Sequence, residues 1–98
     1  PGAEEEVAGR CRSLVGVCRL LGDETRLRLL RVLGREELNV SELTEILGIS
    51  QSGVSRHLRL LREADLVTER REGSWTYFSI ASNGDAAAAG FWAPVRAL

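Results

Sequence analysis

The sequence predicts an α+β fold of about five helices and one two-stranded β-hairpin. Three observations carry this. Apolar residues recur at helical spacing from Val7 to about Leu61. A glycine turn of about four residues, "LGIS", separates two short helical stretches, the helix-turn-helix arrangement. After Leu66 the period changes to strict alternation around Gly73, the mark of a hairpin, or wing. Together they describe a winged helix-turn-helix, and at 98 residues the whole chain, 1–98, forms one domain.

The elements follow in order. "PGAEEE" is polar and reads as a frayed start. Val7, Cys11, Leu14, Val15, Cys18 and Leu21 form the stripe of a first helix that Gly22 stops. Asp23 is the N-cap of a second helix, "ETRLRLLRVL", with Leu27, Leu30 and Leu33 inward and Gly34 at its end. Asn39 with Glu42 three residues on fits a capping box, so a third helix begins at Val40. Gly48 stands where a tight turn needs positive φ. Ser50 caps a fourth helix over about Gln51–Ala64. "LVTERR" and "WTYFSI" are the wing strands, with Thr76, Phe78 and Ile80 on one face and Trp75, Tyr77 and Ser79 on the other. "DAAAAGFWAPVRAL" reads as a last helix that Gly90 weakens and Pro94 kinks or ends.

The fourth helix carries the functional signal. Val54, Leu58 and Leu61 make its buried face, while Gln51, Ser52, Ser55, Arg56 and Arg59 lie opposite. Small polar residues at its front let it enter a groove, where Gln pairs with adenine and Arg with guanine. The first-turn N–H groups and the serines suit phosphate oxygens. From Gln51 to Arg62 there are three arginines and no acid, although the chain as a whole carries −1. The DNA-facing surface is therefore local. Arg70 and Arg71 extend it along the wing. An Arg-bearing helix face is by itself usually a solvated one. The capped helix before it, the glycine turn and the wing after it favour contact with a double-stranded DNA operator.

"LGDETRLRLLRVL", "LNVSELTEILGISQSGVSRHLRLLREADLV" and "REGSWTYFSI" resemble the ArsR/SmtB family of bacterial winged-helix regulators, over Leu21–Ile80. The resemblance implies a homodimeric repressor that responds to an effector. Its dimer would form through the N- and C-terminal helices, with Leu14, Val15, Cys18, Phe91 and Trp92 at the interface. The sequence departs from the family in three places. Asn39 and Ser41 stand where some members have thiolate ligands, no histidine follows Asp85 on the last helix, and Asp65 replaces the usual glycine after the fourth helix. No metal site of the usual kinds is expected. Cys11 and Cys18, two turns apart on one helix face, are the remaining candidates for a metal ion or thiol-redox effector; equally, both are small residues of an apolar stripe.

The sole histidine, His57, joins the DNA-facing candidates as a phosphate contact or as a structural residue; no neighbouring nucleophile or acid gives it catalytic work. No phosphate-cradling glycine loop or nucleophile–base set points to an enzyme. With no apolar run near the ~20 residues of a membrane span, the expectation is a cytoplasmic protein without a membrane partner. The alternative reading is a winged-helix interaction module of a larger enzyme such as a methyltransferase.

Overall fold

The computed structural model describes residues 2–81 and Trp92, except for the side chains of 10–13. Helix α1 spans Gly2–Leu21 and α2 Glu24–Leu33. Strand β1 is Leu38–Asn39, α3 is Val40–Leu47 and α4 is Gln51–Glu63. Strands β2, Val67–Glu72, and β3, Trp75–Ile80, follow. The sheet is antiparallel with order β1-β3-β2. Among the described residues no helix is long and apolar enough to cross a membrane.

Three expectations need correcting. The sheet has three strands, because Leu38 and Asn39 pair with Phe78 and Tyr77 of β3. A two-residue strand shows no alternation, so periodicity cannot reveal it. The first helix begins at Gly2, not Val7. Glu4 and Glu5 occupy its first turn, where carboxylates meet the positive end of the helix dipole. Trp92, expected at a dimer interface, is buried within the protomer's own core. Phe91 and the rest of the expected last helix lie outside the described residues.

Local chemistry sets each boundary. The Asp23 side chain accepts the Arg26 amide at 3.0 Å and so starts α2. Gly34 ends that helix with φ −70°, leaving its left-handed freedom unused. At the head of α3 the capping box is complete. Asn39 Oδ1 accepts the Glu42 amide at 2.9 Å, and Glu42 Oε1 accepts the Asn39 amide at 3.0 Å. Gly48, at φ +69°, turns the chain toward α4. Helix α4 ends in a Schellman motif. The Leu66 amide donates to Leu61 O at 2.9 Å and the Asp65 amide to Arg62 O at 3.0 Å. Leu66 and Leu61, both fully buried, supply its apolar contact.

The core lies where α2, α3 and α4 meet the sheet. Leu29, Leu30, Leu43, Val54, Leu61, Leu66 and Val67 are fully or almost fully buried, and Phe78 and Ile80 close it from β3. Helix α1 leans on this core through Val17, Leu20 and Leu21. Its other stripe turns outward: Val7, Leu14 and Val15 are each about half exposed, and Cys18 is exposed.

Asp65 holds φ +59°, where glycine is free of strain and L residues are not. Asp65→Gly should raise the unfolding free energy by about 0.5–1 kcal/mol. Urea melts of the two proteins check this, and an unchanged or lower midpoint contradicts it.

Candidate nucleic-acid interface

The site is built on the exposed side of α4. Val54, Leu58 and Leu61 are buried, and this fixes the helix's rotation about its axis. Gln51, Ser52, Ser55, Arg56 and Arg59 are consequently all exposed, as their spacing predicts. The front of the helix is narrow by construction. The Ser50 hydroxyl accepts the Gly53 amide at 3.1 Å and lies 3.3 Å from the Ser52 hydroxyl. A Cβ on Gly53 would come within 3.1 Å of Ser50 Oγ, so a larger residue there would press on the cap.

Ion pairing sorts the arginines. Arg62 pairs with Glu69 at 2.8 Å, which ties the end of α4 to β2. Arg56 and Arg59 have no ion-pair partner among the described residues, so their charges face solvent. Arg70 does not stand free on the wing as the sequence reading expects. Its Nη2 lies 2.6 Å from Glu37 Oε1 and its Nη1 2.9 Å from Glu72 Oε2. Its guanidinium carbon also sits 5.1 Å from the centroid of the Tyr77 ring. The Arg70 hydrogen bonds hold the Glu37 carboxyl below its ordinary pKa. Arg71, its neighbour in β2, points to the other face of the sheet. It is exposed and has no ion-pair partner among the described residues.

His57 departs from the DNA-facing row. It is half-buried, with Nδ1 3.4 Å from Arg26 Nη1 on α2. Burial pushes its pKa below the ordinary value, and the Arg26 and Arg56 charges act the same way against Asp23. Sequence reasoning passed over both Arg26 and Glu37. They contact partners 31 and 33 residues away, beyond any local spacing rule.

Between α3, the start of α4 and the wing runs an open groove of about 480 Å³. Ser41, Thr44, Glu45 and Gln51 line one side and Trp75 the other. Asn39, which stands where some members of the resembled family have a thiolate ligand, is committed to the capping box. Among the described residues, no group of three or more His, Cys, Asp or Glu side chains could hold a metal ion. Cys18 is exposed on the outward face of α1; the side chain of Cys11 lies outside the described residues.

Residues 23–69 match the model of the bacterial regulatory proteins of the arsR family. The chain is 46% identical over 65 residues to the arsenic resistance transcriptional regulator ArsR1 of Pseudomonas putida, covering 65% of this chain and 51% of that protein. It is 33% identical over 78 residues to the transcriptional activator HlyU of Vibrio cholerae, covering 80% and 72%. Among solved structures, a homodimeric winged helix-turn-helix DNA-binding domain from Mycobacterium bovis superposes with a TM-score of 0.77 at 28% identity, over 92% of this chain and 81% of that one. The chain spans about half the length of the curated relatives it matches at 42–46% identity. The capped helix-turn-helix, its exposed arginine row and the adjoining wing thus sit within a matched segment of sequence and fold, and the chain belongs to the ArsR family of bacterial regulatory proteins.

Proposed function

We propose that this chain binds a specific DNA operator as a homodimer and regulates transcription, by repression. The observation that carries the reading is the exposed row on α4. Gln51, Ser55, Arg56 and Arg59 stand clear of the core, and neither Arg56 nor Arg59 is neutralised by a described acid. Inserted into a major groove, this row meets base edges, where arginine makes bidentate bonds to guanine and glutamine to adenine. Ser52 and the amides of the first turn face phosphates. Arg71 supplies a further phosphate contact from the wing. Arg70 serves mainly to brace the wing against Glu37, so its sequence-predicted role passes largely to Arg71.

The outward stripe of α1 supports the dimer. Val7, Leu14, Val15 and Cys18 form an apolar face with no partner within the protomer among the described residues. An isologous two-fold contact would cover it. Two copies of α4 would then lie about 34–36 Å apart, one turn of DNA. Repression is favoured because the family resemblance implies it and regulators as much as 46% identical are named as repressors. HlyU, named an activator, is 33% identical.

Three alanine variants test the DNA contacts in titrations against the duplex upstream of the gene. Arg56→Ala should cost about 1–3 kcal/mol on the specific duplex and much less on random DNA. Arg71→Ala should weaken both alike and lower the salt slope by about one. Arg70→Ala should change the slope less than Arg71→Ala does. Wild-type affinity in the folded Arg56 and Arg71 variants would refute the assignment.

Assembly has its own measurement. Sedimentation at micromolar concentration should give a dimer, and Leu14→Glu should give a folded monomer that binds DNA more weakly. A monomeric wild type contradicts the proposed interface.

A further inference from the structure

Arg26 occupies a position the DNA-contact reading leaves unexplained. Its side chain is only 16% exposed, although it sits in the first turn of α2. The guanidinium reaches three elements at once. Its Nε donates to the Leu20 carbonyl, one of the orphan acceptors at the C-terminal end of α1. Its Nη1 lies 3.9 Å from Asp23 Oδ2 at the cap of α2. The same nitrogen lies 3.4 Å from Nδ1 of His57 on α4. Arginine has donors and no acceptor, so a hydrogen bond across this contact requires Nδ1 to accept. That bond belongs to the neutral form of His57 with its proton on Nε2.

We propose that Arg26 and His57 are positioning residues that join α1 to the recognition helix and hold α4 in its DNA-reading orientation. The proposal rests on the DNA-binding reading and adds to it a link between the helix assigned to dimer contact and the helix assigned to base contact. His57 lies between Arg56, in the exposed row, and Leu58, in the core. A hydrogen bond at that boundary restrains rotation of the row about the helix axis. Its other end is anchored on α1 through the Leu20 carbonyl, so displacement of α1 is passed to α4 through one guanidinium.

The joint has a pH dependence of defined sign. Asp23 and Arg26 face the imidazole from α2, and Arg56 lies beside it on α4. Protonation puts an N–H where the acceptor was and a cation in a partly buried place beside two arginines, with Asp23 acting the other way. The joint then opens. A histidine acting as a phosphate contact would do the reverse: its added charge would strengthen binding to every duplex on acidification. The chain has one histidine, and burial keeps its titration below the ordinary value of 6.5. A response between about pH 7.5 and about pH 5.5 therefore reports on His57 rather than on ordinary carboxylates.

The test uses a duplex selected by the wild-type protein from a random-sequence pool at about pH 7.5. Discrimination, the affinity ratio of this duplex to random DNA at fixed salt, is measured at both pH values. It should fall several-fold on acidification, approaching about tenfold only below both pKa values, the linkage given by a tenfold difference in proton affinity between randomly and specifically bound protein. In His57→Gln the amide oxygen still accepts from Arg26 but does not titrate, so the ratio should be flat. Arg26→Lys keeps the charge and cannot bridge both partners, so it should discriminate less at both pH values while its melt shows it folded. Nitrogen-15 shifts of the free protein's imidazole give a readout without DNA: the Nε2–H form in wild type, a tautomer mixture in Arg26→Gln. A selected duplex with unchanged or rising discrimination at the lower pH overturns the positioning role alone. Selection of no duplex overturns the DNA-binding reading and the positioning role with it. An Nδ1–H imidazole shows that the joint itself is absent.

Discussion

The junction at Asn39 is the constraint from which the rest of the domain is organised. This residue is at once the end of β1 and the N-cap of α3. Its backbone belongs to the sheet through Tyr77, and its side chain closes the capping box with Glu42. It is a buried polar residue inside an otherwise apolar core, and such a group is tolerated because its hydrogen bonds are made. With the Arg62–Glu69 and Arg70–Glu37 pairs, this residue thereby sets the angle between the wing and the helix-turn-helix. From that angle follow the groove between Trp75 and Gln51 and the common side on which the wing and α4 can meet a duplex.

Charge is distributed by the same logic. The net charge of −1 would disfavour attraction to DNA if it were spread evenly. Folding spends acids on particular arginines instead. Glu69 takes Arg62, Glu37 and Glu72 take Arg70, and Asp23 lies close to Arg26. The exposed pairs at Arg62 and Arg70 contribute little to stability. Their larger effect is selection, because Arg56, Arg59 and Arg71 remain unneutralised by described acids. A locally basic surface thus emerges from an overall acidic chain without any surplus of arginine.

Much of this was legible in the sequence, and the reason is locality. The Asp23, Asn39 and Ser50 caps, the turn at Gly48 and the exposed side of α4 all depend on residues within four positions of one another. So does the strain at Asp65, which the absence of a glycine there foretells. What escaped was non-local. Glu37 and Arg70 meet because β1 lies against β3, and β1 is too short to leave a pattern. The stripe read on α1 parts at Leu21, which turns to the core with Val17 and Leu20, two residues the stripe leaves out. Val7, Leu14 and Val15 face away. Trp92 is aromatic and near a terminus, equally suited to an interface or a core; only the fold decides for the core.

The placement of the two tryptophans equips the domain with its own optical probes. Trp75 is 53% exposed on the wing and Trp92 only 5% exposed within the core. An indole in water and one in an apolar interior emit at different wavelengths. The intrinsic fluorescence therefore carries two separable signals, one from the surface that meets the groove and one from the packing behind it. Quenching by a soluble anion should reach the first and spare the second, so events at the wing can be followed apart from loosening of the core, with no label attached.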